Sequence, residues 1–99
     1  MKRCILSLLL IMLSFIVAGQ GVEKQVIQST DAPKAVGPFS QAILAGNTLY
    51  VSGQLPLDPV TGLMDTLNME TEIRRVMANL GTVLKEAGMS CHDIVKATI

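Results

Sequence analysis

Three groups of residues in this 99-residue chain carry side chains that could do chemistry. Cys91-His92-Asp93 holds a nucleophile, a base and an acid, the components of a cysteine hydrolase. Three consecutive residues cannot converge on one point, and triads are assembled from residues distant in sequence. The trio follows a helix pattern and reads as a solvated turn. His92 is the only histidine. No second Cys or His stands at ligand spacing, so a zinc site lacks its three or four ligands. No metal and no cofactor are expected. Asp58 and Asp65 flank a turn, and a turn aspartate bonds its own backbone. Ser52-Gly53 closes a strand pattern. The serine has no base near it in sequence, and its surroundings are not a Gly-x-Ser-x-Gly elbow. On spacing alone the pair either lines a site or eases a strand into a proline loop.

Size and charge narrow the function classes. A chain of this length holds one domain. Formal net charge is zero, and neither a basic patch nor an aromatic ladder is present. Nucleic-acid binding has no electrostatic support. At the N-terminus, Lys2 and Arg3 precede an apolar run over residues 5–18, interrupted by Ser7 and Ser14. This pattern reads as a secretory signal peptide over residues 1–19. The run falls short of the roughly 20 apolar residues of a membrane span. Ala18 and Gly19 each offer a small residue for cleavage. The expectation is an exported, periplasmic protein with no stable membrane anchor after cleavage. Cleavage removes Cys4 and leaves Cys91 alone, read as a small buried apolar residue.

The elements that must position these groups follow from periodicity. Residues 20–30 are mostly polar and read as a linker. Residues 39–44 carry a strand pattern with apolar Phe39, Ile43 and Leu44. Ala45-Gly46-Asn47 is a turn, and residues 48–52 alternate as a second strand. Residues 56–62 form a loop that Pro59 opens and Gly62 ends. Met69, Ile73, Val76, Met77, Leu80, Val83, Leu84 and Ala87 recur at helical steps and paint one apolar stripe. Asn68 or Thr66 caps that helix, Glu70 and Glu72 suit its positive end, and Gly88 stops it. Arg74 and Arg75 lie on it, with solvent exposure as the default. Asp93 to Ile99 alternates and reads as a third strand. The order is β-β-α-β, an α+β arrangement with one helix over a small sheet.

Ala32-Pro33-Lys34-Ala35-Val36-Gly37-Pro38-Phe39-Ser40-Gln41-Ala42 and Ser52-Gly53-Gln54-Leu55-Pro56 are followed by Asn79-Leu80-x-x-Val83-Leu84-x-x-Ala87-Gly88 and Asp93-Ile94-Val95-Lys96. In order and spacing these segments resemble the RidA/YjgF family of small trimeric enamine/imine deaminases. The resemblance runs from Ala32 to Ile99. It implies a RidA-like (chorismate-mutase-like) α+β domain over residues 31–99, incomplete at its C-terminus and cut at Ile99 within the third strand. It also implies hydrolysis of 2-aminoacrylate and related enamines or imines to 2-keto acids and ammonia, without a cofactor, in a homotrimer.

The same resemblance places Gly37, Pro38, Phe39, Ser52 and Gly53 on a pocket between two subunits. Phe39 stands where the family commonly has tyrosine, so the wall is kept and a hydroxyl is lost. The family's carboxylate-binding arginine and its acidic residue are expected beyond Ile99. That leaves the catalytic residues unknown and implies a poor enzyme for residues 1–99 alone. The alternative is a non-catalytic trimer of the same architecture that binds a small molecule such as a 2-keto acid. A third possibility is an interaction module with open sheet edges.

Overall fold

A computed structural model describes residues 1–17 and 21–99. The sequence contains an antiparallel hairpin with a two-residue turn, and the structure forms it. Strand β2 spans Ala42–Ala45 and β3 spans Thr48–Val51, with Gly46 and Asn47 between them. Gly46 takes φ +60°, the left-handed region that glycine enters without a Cβ clash. The apolar pattern puts Phe39 at the start of β2. It instead lies three residues before the strand, because Gly37-Pro38 turns the chain and Pro38 has no N–H for a ladder.

A third strand, β1, occupies Lys24–Ile27 inside the expected linker. Its apolar signal is only Val26 and Ile27. The ladder offered by β2 makes the strand, in antiparallel register with Ile27 opposite Ala42 and Val26 opposite Ile43. The sheet order is β1-β2-β3.

The strand expected from Asp93 to Ile99 does not form. Cys91–Asp93 is a short 3-10 turn, and residues 94–99 run on without a ladder partner. Ile99, expected inside a strand, is fully exposed, as is Val95. Alternation and β-branching supply strand propensity there, but a strand exists only where a neighbour pairs with it. The described sheet therefore ends at β3, and its third strand comes from before the hairpin rather than after the helix.

Two helices complete the described residues. Helix α1, Lys2–Val17, is apolar around its circumference, with Ile5, Leu6, Leu8, Leu9 and Leu10 all exposed. Among the described residues, no helix is long and apolar enough to cross a membrane. Ala18 and Gly19, the expected cleavage points, lie outside the described residues. Helix α2 spans Met69–Glu86. Asn68 caps it by accepting a bond from the Thr71 N–H at 2.9 Å, which leaves Thr66 out of the cap. At the far end Gly88 takes φ +72°, and the Met89 N–H donates to the Leu84 carbonyl, closing the last turn.

The core lies between one face of the sheet and the C-terminal half of α2. Ile27, Ala42 and Val83 are buried together with Ala32, and Leu44, Leu49, Val51 and Ala87 pack around them. The register explains the sorting. Ile27, Ala42 and Val51 stand in one row across the sheet, while Val26, Ile43 and Tyr50 stand on the opposite face. The helical stripe is covered only in part. Val83 and Leu84 are buried, whereas Met69, Ile73 and Met77 are exposed. Leu84→Ala should therefore cost about 2–5 kcal/mol, a large share of a small domain's stability, while Met69→Ala should stay within about 0.5 kcal/mol. Urea melts of the two variants check this contrast.

Candidate functional site

Ser52 is the residue that joins the two segments of interest. It follows the last residue of β3, and its N–H donates to the Gln41 carbonyl at 3.0 Å. Its hydroxyl donates to the Ser40 carbonyl at 2.5 Å. Both bonds tie the end of one strand to the entry of the other. Gly37, Pro38 and Phe39 immediately precede Ser40, so the predicted residues form one neighbourhood although 15 positions separate Gly37 from Ser52.

The neighbourhood is an exposed shelf. Gly37 takes φ +75°, and a Cβ there would touch the Phe39 ring at 3.8 Å. Phe39 is 69% exposed. Above Gly53 there is open space, with nothing within 4 Å of a Cβ built on it. Two concavities lie elsewhere. One is lined by Glu23, Lys24, Gln25, Leu44 and Gly46, the other by side chains of α1. Tyr50 projects on the opposite face of the sheet, across from Ile43.

Two buried amides, neither marked as functional by its sequence pattern, hold the shelf's loops. Gln41 is 6% exposed. Its Oε1 accepts from the Ser29 N–H at 2.7 Å, and its Nε2 donates to the carbonyls of Ser29 at 3.1 Å and Pro33 at 2.9 Å. Asn79, 3% exposed on α2, donates through Nδ2 to the carbonyls of Leu55 at 3.0 Å and Leu57 at 2.9 Å. Gln41 thus fixes the chain that enters the Gly37 loop. Asn79 fixes the chain that leaves Gly53.

The segment beyond Leu57 is a small hairpin. Leu57 pairs with Met64. The Asp58 carboxylate accepts from the N–H groups of Val60 at 2.8 Å and Thr61 at 3.0 Å, so Asp58 bonds its own turn as its sequence context indicates. These backbone bonds to Thr61 and Val60, with the Arg75 charge beside them, hold the Asp58 carboxyl below the usual carboxylate range. Solvent is the default expectation for Arg75. Its guanidinium instead lies 3.6 Å from Asp58 and 3.9 Å from Asp65, about two-thirds covered. Arg74 does stand in solvent, paired with Glu70 one turn back.

The Cys91-His92-Asp93 trio serves the backbone. The Asp93 carboxylate accepts from the Ser90 N–H at 2.8 Å, and the Ser90 hydroxyl accepts from the His92 N–H at 3.3 Å. These two bonds make a capping box for the 3-10 turn. The expected burial of Cys91 is not found. Its thiol is exposed at the start of that turn, because the capping residues hold the trio at the surface. The chain from this turn to Ile99 stays outside the sheet.

Residues 29–99 match the family model described as Endoribonuclease L-PSP. The chain is 40% identical to the 2-iminobutanoate/2-iminopropanoate deaminase of Bos taurus over 76 residues, covering 77% of this chain and 56% of that protein. The crystal structure of RidA from an Antarctic Psychrobacter superposes with a TM-score of 0.68 at 41% identity, over 72% of this chain and 57% of that one. E. coli TdcF with bound serine superposes with a TM-score of 0.68 at 31% identity, over 72% and 55% of the two chains. The chain spans about 60% or less of the length of the curated relatives it matches.

The Asp58 turn yields a prediction with a definite sign. A carboxyl whose folded pKa is depressed stabilises the fold above its unfolded value, near 3.8, and that contribution is lost as pH falls through the folded value. Asp58→Asn should lower the urea midpoint at pH 7. The gap to the unmodified protein should close as pH drops below about 4. Melts at pH 7, 5 and 3 check it, and a gap that does not change with pH would contradict the assignment.

Proposed function

The chain belongs to the RidA/YjgF/L-PSP family, and from that premise we propose that it serves in the hydrolysis of reactive enamines and imines to 2-keto acids and ammonia. The shelf of Gly37, Pro38, Phe39, Ser52 and Gly53 is one wall of the site, completed by a neighbouring subunit in a homotrimer. Ser52 carries this reading: its two bonds to Gln41 and Ser40 set the two loops side by side. The deaminase name borne by the bovine relative and the serine bound to TdcF support a small amino- or imino-acid ligand.

The chemistry asks little of such a wall. An imine of a 2-keto acid already reacts with water. Water adds to the imine carbon, the C–N bond breaks, ammonia leaves and the carbonyl forms. What accelerates this is placing the water and holding the carboxylate. The Ser52 hydroxyl is already committed to a backbone carbonyl, and His92 belongs to a separate capped turn. Those positions favour addition of water over attack by a serine. The apolar Phe39 ring suits an aliphatic side chain and excludes bulk water beside it.

We further propose that residues 1–19 are a signal peptide and that the protein works outside the cytoplasm. Helix α1, at 16 residues, is about 24 Å long, short of the roughly 30 Å of a bilayer's hydrocarbon. Expression in a bacterium should yield a periplasmic protein whose N-terminus starts after Ala18 or Gly19. Intact mass and N-terminal sequencing read this, and a membrane-bound chain starting at Met1 would refute it.

Activity is tested by generating 2-iminopropanoate in situ and measuring pyruvate release. Residues 1–99 alone should hydrolyse the imine only weakly, and joined to the C-terminal segment of a family relative they should hydrolyse it well above the buffer rate. Gly53→Val fills the open space over the shelf and should cut turnover at least about tenfold, the loss expected when a misplaced ligand forfeits its alignment. Its backbone needs no positive φ, so its urea transition should move by no more than about 0.5 kcal/mol. Release at the buffer rate by the joined protein, or full activity in its valine variant, would defeat the proposal.

A further inference from the structure

Residues 34–39 leave the core and return to it at Ser40, and their two ends are closed by side chains alone. Within this stretch Ala35, Val36, Gly37, Pro38 and Phe39 are exposed. At the return end, the Ser40 carbonyl takes the Ser52 hydroxyl. At the departing end, the Pro33 carbonyl takes the Gln41 Nε2 at 2.9 Å. The same amide spans back to Ser29, accepting from its N–H and donating to its carbonyl. Its own backbone carbonyl receives the Ser52 N–H. One residue, 6% exposed, therefore bonds the departing end of the loop through its side chain and the end of the neighbouring strand through its backbone.

We infer that Gln41 is the positioning residue of the site: its side-chain amide ties the departing end of the Gly37-Pro38-Phe39 loop at Pro33 to Ser29, while its backbone carbonyl anchors Ser52, and it acts on the ligand only through that loop. This rests on the reading of the loop as a wall of an imine site. The chemistry of the amide is specific. It must accept from one N–H and donate to two carbonyls at once, which neither an aliphatic residue nor a carboxylate can do. Gln41→Glu keeps the length and the acceptor. At neutral pH it sets a charged oxygen against two carbonyl oxygens. Once protonated, it regains one donor. Asp31 and Lys34, the ionisable groups on the same segment, are both exposed.

The test reads loop order and ligand binding separately. Amide hydrogen exchange by NMR is followed at Ser29, Asp31 and Ser52, the hydrogen-bonded amides at the ends of the loop, and in α2, for the unmodified protein, Gln41→Leu and Gln41→Glu, at pH 5 and pH 8, corrected for the intrinsic exchange rate. The probe ligand is pyruvate, titrated by NMR. In Gln41→Glu at pH 8, these three amides should exchange about tenfold faster, the factor carried by one lost hydrogen bond to a buried carbonyl. Protection in α2 should hold, and exchange should recover toward the unmodified rate at pH 5. In Gln41→Leu the loop should stay open at both pH values. Pyruvate affinity should fall in step with loop protection.

Unchanged exchange at Ser29, Asp31 and Ser52 would overturn the inference. So would equal loss of protection in α2 at both pH values, which would make Gln41 an ordinary core residue. Pyruvate affinity that ignores a loosened loop would overturn it too. If pyruvate binds none of the three proteins, the imine-site reading falls and the link from loop to ligand falls with it, while the exchange data still decide whether Gln41 holds the loop.

Discussion

A loop that leaves a sheet leaves its ladder behind, and each buried N–H and C=O it carries must find another partner. That constraint organises this molecule. The sheet is three strands of four residues each, so much of the chain around the core is loop. Gln41 and Asn79 answer it with five side-chain bonds to backbone groups. An unpaired buried carbonyl or N–H costs about 1–3 kcal/mol. Removing the Gln41 amide exposes the Ser29 N–H and carbonyl to that penalty at once. Both amides sit beside the aliphatic core, where competing water is scarce and a hydrogen bond is electrostatically stronger.

The core that these bonds border is small, and its outer surfaces stay open. Val83 and Leu84 cover the sheet from α2, yet Met69, Ile73 and Met77 on the same helix do not reach it. The row Val26, Ile43 and Tyr50 faces away from the helix altogether. Large apolar side chains left in water forfeit about 1.5–3 kcal/mol each. Association through these surfaces would recover part of that. A shelf whose aromatic is exposed in a single chain fits the same economy, since a second chain would supply the opposite wall.

What could be read from the sequence was local. The Gly46-Asn47 hairpin, the Asn68 cap, the Gly88 stop and the Asp58 turn each depend on neighbours within a few residues, and each formed as its residue types indicate. Strand β1 was hidden because two apolar residues carry little periodicity; its ladder with β2 lies some 15 to 21 positions away. The stretch from Asp93 to Ile99 misled in the opposite direction, with a sound alternation and no partner to pair it. The grouping of Gly37, Pro38, Phe39, Ser52 and Gly53 came from family likeness, since spacing alone left Ser52-Gly53 undecided. Gln41 was in plain view inside that motif. Its role depends on partners 8 and 12 residues away, and Asn79 reaches 22 and 24. Arg75 escaped its default for the same reason, because its carboxylate partners lie outside the helix.

The position of Ser52 bears on the kind of chemistry this scaffold favours. A serine nucleophile needs a base to take its proton and a lone pair free for attack. Here the hydroxyl hydrogen is given to the Ser40 carbonyl, and that bond helps hold the two loops together. Using Ser52 as a nucleophile would dismantle the shelf at the moment of reaction. An imine needs no covalent intermediate, because water attacks its carbon directly. Under the proposed function, the residues assembled around Ser52 would divide the labour: glycines that leave the backbone open to a small ligand, an aromatic beside them, and buried amides that keep both loops in place while solvent supplies the reactive oxygen.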